Sequence, residues 1–436
     1  MSSLAMFGGT PQRTRPFPAW PVFDTNEEQA MLEVLRSGEW WQNSYGEGLG
    51  LEEPEAGRRS SKVAEFQQAF ARLQGAKYGI ACANGTAAIE VALKALGVGP
   101  GDEVVVPPYT FIATATAVLM VNAVPIFADI DYATFNLDPV RVEEALTPRT
   151  KAIIPVHFAG HAADMDSLLK IAKRHSLFIV EDAAHGHGAS WNSRGLGSIG
   201  HAGTFSFQVS KNMTAGEGGL ITTNDRDLAE VCGSYIWGGR KIGRPWYEHH
   251  RLGWNYRMTE FQGAILLQQL KRVETQNAKR HENAGYLDDR LSKLPGIYPL
   301  EVRPYATGHS HHIYIFRFSE GEFGVSRSDF LVALEAEGVP CMGGYAHPLY
   351  KNPVFLRRDF YPHGCPLTCS HYGHIIDYAS FATLCPQAER ACREAVWLEH
   401  RQLLAERDDM DDIVRAIEKI HEHRLDFKPA AVPEGG

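Results

Sequence analysis

The sequence predicts an α/β protein: a large domain on a mostly parallel central sheet with helices on both faces, then a smaller C-terminal α/β domain. Three observations carry this expectation. Short apolar, β-branched runs alternate with helical periodicities from Tyr78 to Glu181, and repeated βα units of that length specify a parallel sheet covered on both sides. From about Asn283 the pattern changes, with an alternating strand, Tyr314–Phe318, set between helical segments. At 436 residues and 44% hydrophobic content, the chain is long enough for two cores. The expected divisions are an N-terminal arm and loop at 1–60, a large domain at 61–282 and a small domain at 283–436.

Each element follows in order. The prolines at 11, 16, 18 and 21 make residues 1–24 an extended arm. Glu27–Ser37 is an amphipathic helix stopped by Gly38; Trp40 and Trp41 then precede a polar, glycine-rich loop reaching Arg59. Ser61–Leu73 puts Val63, Phe66, Phe70 and Leu73 on one helical face. A strand from Tyr78 passes through Asn84-Gly85-Thr86 into a helix ending at Leu96. The glycines at 97, 99 and 101 follow a helix rather than a strand, so they read as a helix stop, not a dinucleotide loop. Strands Glu103–Pro107, Val124–Ile130, Ala152–Val156 and Leu177–Glu181 alternate with helices Thr114–Val121, Val140–Leu146 and Met165–Arg174. Helices Phe261–Leu270, Arg280–Leu294, Ser328–Glu337 and Asp408–Ile420 complete the chain, with a frayed tail from Lys428.

Composition narrows the function. A formal charge of -9 and a pI near 6.1 argue against a nucleic-acid or membrane-surface partner. No 18-residue apolar run is present, and the N-terminus lacks the charged and apolar regions of a secretory signal. Seven cysteines, an odd number in a large chain, do not suggest a disulfide framework, so a reduced, cytoplasmic setting is expected.

The chemistry centres on Lys211, alone between an apolar strand beginning at Thr204 and a turn containing Gly216, Gly218 and Gly219. A lysine partly desolvated there has a lowered pKa and a nucleophilic amine, as a Schiff-base lysine for pyridoxal phosphate (PLP) requires. The same pattern also fits a surface lysine after a strand. Asp182 ends an apolar strand, where it suits either a protonated pyridine nitrogen or a helix N-cap. The turn at Asn84-Gly85-Thr86 offers backbone N–H groups and a helix dipole to a phosphate. His363, Cys365, Cys369, His371 and His374 invite a zinc reading, but their spacing fits no standard module, and no metal is expected.

Together these residues carry a resemblance. Asn84-Gly-Thr-Ala-Ala, Pro108-Tyr-Thr-Phe111, Asp129-Ile-Asp131, Pro155-Val-His157, Glu181-Asp-Ala-Ala-His185, Ser206-Phe-Gln-x-x-Lys211, Gly216-Glu-Gly-Gly219 and Gly253-Trp-Asn-Tyr-Arg-Met258 occur in order. Over roughly 20–425 the chain resembles the DegT/DnrJ/EryC1/StrS family of PLP-dependent sugar and cyclitol aminotransferases. The resemblance implies a type I aminotransferase fold and a homodimer with active sites at the subunit interface. It makes Lys211 the Schiff-base lysine and proton carrier of a ping-pong reaction, and Asp182 the partner of the pyridine nitrogen. It places His185 near the ring and its 3′-oxygen, Phe111 stacked on the ring, and Gly85, Thr86 and Ser206 on the phosphate. Asn255 becomes a phosphate ligand lent by the neighbouring subunit.

Gln208 departs from the histidine of many nucleotide-sugar members and lies close enough to Lys211 to line the cofactor site. With Trp40-Trp41 and Trp397-Leu-Glu-His-Arg-Gln-Leu-Leu404, it looks more like the scyllo-inosose aminotransferase and 3-amino-5-hydroxybenzoate synthase branch. The expected substrate is therefore a keto-cyclitol or keto-sugar without a nucleotide, aminated from L-glutamine or L-glutamate. Two alternatives stand beside it. One is a UDP- or dTDP-linked keto-sugar, its diphosphate met by Arg240, Lys241, Arg244 or Arg251; the other is a non-catalytic, PLP-binding regulatory protein. His309, His311, His312 and His347 are further candidates to meet substrate hydroxyls.

Overall fold

The computed structural model describes residues 3–42, 49–51 and 60–427. Most of the loop expected after Trp41, and the tail from Lys428, lie outside the described residues. Strands β1 (Tyr78–Cys82), β2 (Glu103–Val106), β3 (Val124–Phe127), β4 (Thr150–Ile153) and β5 (Phe178–Asp182) come first. A hairpin of β6 (Ser190–Trp191) and β7 (Arg194–Gly195) precedes β8 (Ala202–Ser206) and β9 (Gly219–Thr223). The large sheet runs β1-β9-β8-β5-β4-β2-β3. From β8 to β3 every neighbouring pair is parallel, whereas β9 is antiparallel to both β1 and β8. The exception has a simple cause: a glycine turn, not a crossover helix, joins β8 to β9, and so short a connection returns the chain antiparallel.

Several helices start where side chains accept the first amides. Asp24 and Glu27 form a capping box before Thr25–Ser37, while Ser61, Asn84 and Asp164 cap Lys62–Leu73, Gly85–Ala95 and Met165–His175. Strands such as Glu103-Val-Val-Val106 are buried along their whole length, as expected of a sheet covered on both faces. One apolar cluster gathers Ile89, Val91, Val118 and Cys232 around the sheet; another gathers Val63, Phe66, Phe70, Leu168 and Leu266.

A second, antiparallel sheet is built from β10 (Ile297–Pro299), β11 (Ile313–Phe318) and β12 (Ala395–Glu399) in that order. Its core joins residues of helices Val273–Leu291, Arg327–Ala336 and Arg407–Glu422. The first of these begins well before the expected Arg280. Its buried positions include Asn277, Arg280 and Asn283, whose polarity hides the helical period. The N-terminal arm is docked on this core: Leu4 and Phe17 are buried in it, and Arg13 pairs with Asp409 at 2.5 Å and Asp412 at 3.1 Å. Residues from Tyr350 to Phe381 fold back on the large sheet, where Tyr350, Phe355, Tyr378 and Phe381 surround Phe127 of β3 at ring separations of 5.4 to 5.9 Å.

Candidate active site

The C-terminal ends of β1, β5 and β8 open on one cavity of about 720 Å³, the position where open α/β sheets bind ligands. At one end, Asn84 Oδ1 accepts the amide of Ala87 at 2.9 Å, which leaves the amides of Gly85 and Thr86 without an acceptor among the described residues. They sit at the positive end of an 11-residue helix. Ser206 packs directly against Gly85. A Cβ added to Gly85 would lie 2.7 Å from the Ser206 Cβ, so the close approach requires glycine.

Asp182 ends β5 on the cavity wall and is buried. Its Oδ2 accepts the Thr114 hydroxyl at 2.8 Å and its Oδ1 the Ala184 amide at 3.2 Å. Burial raises its pKa, against the opposing effects of those hydrogen bonds and of Lys211. The neighbouring Glu181 points the other way. It receives the Gly197, Ile199 and Gly200 amides and faces His157 Nε2 at 2.9 Å, so it ties β5 to the following turn. His157 Nδ1 accepts the Ala163 amide, which puts the ring proton on Nε2, toward Glu181.

Lys211 follows β8 on a turn closed by its own amide donating to Gln208 O at 2.9 Å. Its side chain is half-buried on the cavity wall, and its amine has no hydrogen-bond or ion-pair partner among the described residues. Burial lowers its pKa from 10.5 to about 8, with Asp182 pulling the other way. His185 Nδ1 accepts the Ala159 amide at 3.2 Å, so its proton belongs on Nε2; burial keeps its pKa well below the usual histidine value.

Phe111 is 60% exposed, an apolar ring left open on the cavity wall. Gln208 also lines the cavity, its Oε1 turned back to accept the Ser210 amide and hydroxyl at 2.8 and 2.7 Å. The cavity therefore gathers Gly85, Thr86, Phe111, Asp182, His185, Ser206, Gln208 and Lys211 from one chain. Asn255 is not among them: it is exposed, on a segment bridged to Trp237.

The other histidines do not reach the cavity wall. His309 and His311 stack on each other at 3.7 Å beside a separate small hollow, His312 is buried against His185 at 4.1 Å, and His347 is exposed. Among the described residues no three His, Cys, Asp or Glu side chains converge as metal ligands, and the seven cysteines are free thiols. Sequence reasoning missed Thr114, whose place inside a helix gave no hint of its bond to Asp182. It also missed Glu90, Tyr256 and Glu217 on the wall, where Tyr256 donates to the Glu90 carboxylate at 3.2 Å.

The family model for DegT/DnrJ/EryC1/StrS aminotransferases matches residues 52–384. The chain belongs to this family. An L-glutamine:scyllo-inosose aminotransferase of Streptomyces griseus is 38% identical over 432 residues, which cover 96% of this chain and 97% of that protein. Among solved structures, 3-amino-5-hydroxybenzoic acid synthase is 34% identical with a TM-score of 0.81, over 94% of this chain and 100% of that one. A Bacillus subtilis protein, NtdA, solved with bound cofactor PMP, is 26% identical with a TM-score of 0.74, over 94% of this chain and 86% of that one. The protein is thus an aminotransferase with the α/β fold of PLP aminotransferases. The cavity's chemistry fits the PLP cofactor that this family implies. It has an amide-rich helix start with an adjacent hydroxyl for a phosphate, a buried carboxylate with no cation bonded to it, and a lysine amine left unpaired.

Proposed function

We infer that the protein uses PLP to move an amino group from L-glutamine or L-glutamate to a keto-cyclitol or a keto-sugar without a nucleotide. The observation that carries this reading is the shared cavity of Lys211 and Asp182, a low-pKa amine and a buried carboxylate beside a phosphate cradle. Bound PLP supplies an aldehyde that holds amines and a ring that draws electrons from the bond being broken. Gly85, Thr86 and Ser206 would hold its phosphate, Asp182 would keep its ring nitrogen protonated, and Phe111 would cover one face of the ring. His185 Nε2–H would be the donor for the ring's 3′-oxygen. Lys211 would hold the aldehyde, and its Nζ would take and return the proton at the substrate carbon. A pKa of about 8 suits that task near neutral pH.

The wall's charge supports the neutral acceptor. Among the described residues Lys211 is its one lysine and no arginine lines it, against the carboxyl groups of Glu90, Asp182 and Glu217, while burial holds His185 well below the usual histidine pKa. A diphosphate is recognised by arginine or lysine. Arg240 instead stacks on Trp246 at 4.5 Å, and Arg251 donates to Ser234 Oγ at 3.3 Å. The measurement is kcat/KM for scyllo-inosose-type ketones against UDP- and dTDP-linked keto-sugars, with the cyclitol expected to be preferred. A preference of 100-fold or more for the nucleotide substrate, about 3 kcal/mol of transition-state binding, overturns the assignment.

The reading includes a homodimer in which Asn255 serves the neighbouring subunit's phosphate. Its exposure outside its own cavity supports this, as do Trp246, Tyr247 and Leu252, exposed by 60, 79 and 88% on the preceding segment. A dissociated monomer is expected to hold PLP poorly. Light scattering with activity tests this, and a fully active monomer refutes it. A cytoplasmic setting completes the reading, supported by the seven free cysteines. No helix of the described residues is long and apolar enough to cross a membrane.

A further inference from the structure

The backbone just before Lys211 is held by two buried or partly buried rings from distant parts of the chain. Trp20 Nε1, from the N-terminal arm, donates to Val209 O at 2.7 Å. His400, just past β12 in the Trp397–Leu404 motif, presents Nε2 to Ser210 O at 3.0 Å. Behind it, Arg280 Nη2 lies 3.1 Å from His400 Nδ1. A guanidinium only donates. Nδ1 must therefore accept, and the imidazole proton must sit on Nε2, the atom that faces Ser210. Trp20 closes the assembly, edge-on to His400 at 4.5 Å and beneath the Arg280 guanidinium at 5.7 Å.

Arg280 is fully buried yet meets no carboxylate among the described residues; its other partners are Asn277 Oδ1 at 3.0 Å and Gln276 Oε1 at 3.4 Å. Its Nε has no partner at all among them. A buried cation without a counter-charge is costly, and apolar side chains of similar volume would fill the space more cheaply.

We propose that Arg280 and His400 are positioning residues for transamination: Arg280 fixes the His400 tautomer, and His400 holds the Ser210 carbonyl and thereby Lys211. The pair also ties the end of β12 in the second sheet to the lysine turn, since His400 follows that strand directly. This rests on the reading of Lys211 as the cofactor-anchoring lysine. An amine that must first hold an aldehyde and then carry a proton tolerates little displacement; an error of about 1 Å costs on the order of 100-fold in rate.

The test uses the full-length protein with three variants: His400→Phe, which keeps a ring without the donor; His400→Gln, which restores an N–H; and Arg280→Met, which removes the constraint on the tautomer. Apo-protein is mixed with PLP alone, and capture is followed by absorbance. The product is fixed with borohydride, and the modified peptide is identified by mass spectrometry. The expected result is capture 10- to 100-fold slower for His400→Phe, with kcat lowered in parallel and the donor KM unchanged. His400→Gln should recover most of both losses. Arg280→Met should be slowed while its Tm stays close to that of the wild type, because an unpaired buried cation has been removed. Wild-type capture by His400→Phe overturns the proposal, as does a folded His400→Gln no faster than His400→Phe. If His400→Phe does not fold, Arg280→Met decides: wild-type capture by that variant overturns the proposal, and slowed capture at unchanged Tm supports it. Fixation on a peptide without Lys211 would refute the underlying reading of the lysine instead.

Discussion

Lys211→Ala is expected to abolish steady-state transamination while leaving the fold intact. The amine has no hydrogen bond or ion pair among the described residues that its loss would orphan, so the stability cost should be small. The chemical cost should be large, because among the described residues Lys211 is the one amine on the cavity wall, and the reaction needs an amine both to hold the aldehyde and to carry the substrate proton. Asp182 and Glu90 are carboxyl groups, and His185 has its proton committed to Nε2 by the Ala159 amide. The variant is expected still to bind PLP noncovalently through the Gly85–Thr86–Ser206 cradle. Unchanged turnover by Lys211→Ala would sink the mechanism.

The same lysine gives a pH signature. Lowering its pKa from 10.5 to about 8 raises the uncharged fraction at neutral pH roughly 300-fold. Covalent capture of PLP by the apo-protein should rise with pH and level off above about 8. The sign for stability follows. Between about 8 and 10.5 the unfolded chain binds this proton and the folded chain does not, so this group's contribution becomes more favourable as pH rises through that window.

The second large effect is expected from Asp182→Asn. The amide is close in size and retains an acceptor for the Thr114 hydroxyl, so the fold should survive. What disappears is the negative charge that keeps a pyridine nitrogen protonated, and with it the ring's capacity to draw electrons. Loss of at least about 1,000-fold in kcat is expected, roughly 4 kcal/mol of transition-state stabilisation. A variant within tenfold of the wild type would reduce Asp182 to a structural acceptor for Thr114 and Ala184.

How far the sequence carried can be read from particular residues. The βα alternation was legible because the parallel strands are almost wholly buried and many of the helices are capped by side chains, as at Ser61, Asn84 and Asp164. Lys211, Asp182 and the Asn84-Gly85-Thr86 turn stood out because strand ends and glycine turns mark the backbone geometry they need, whereas Phe111, His185 and Ser206 were legible only through the family resemblance. Two kinds of feature were hidden. One is polar burial: the helix Val273–Leu291 hides its period behind Asn277, Arg280 and Asn283, so both its start and the Arg280–His400 contact were missed. The other is long-range pairing. Thr114 meets Asp182 across 68 positions and His400 meets Ser210 across 190, and no local pattern announces either contact. The histidines at 309, 311 and 312 stood out as clustered polar residues, but they lie off the cavity wall: His311 and His312 are buried, and His309 stacks on His311 at 3.7 Å.

The most direct test of the central claim follows the absorbance of the PLP-loaded protein through each half of the reaction. L-Glutamine or L-glutamate is added first, without an acceptor, and then a scyllo-inosose-type ketone. The expected result is a spectral shift on adding the donor, stoichiometric release of its keto acid, and return of the starting spectrum with formation of the amino-cyclitol. A spectrum unmoved by either donor would contradict the assignment of Lys211 and Asp182 to transamination.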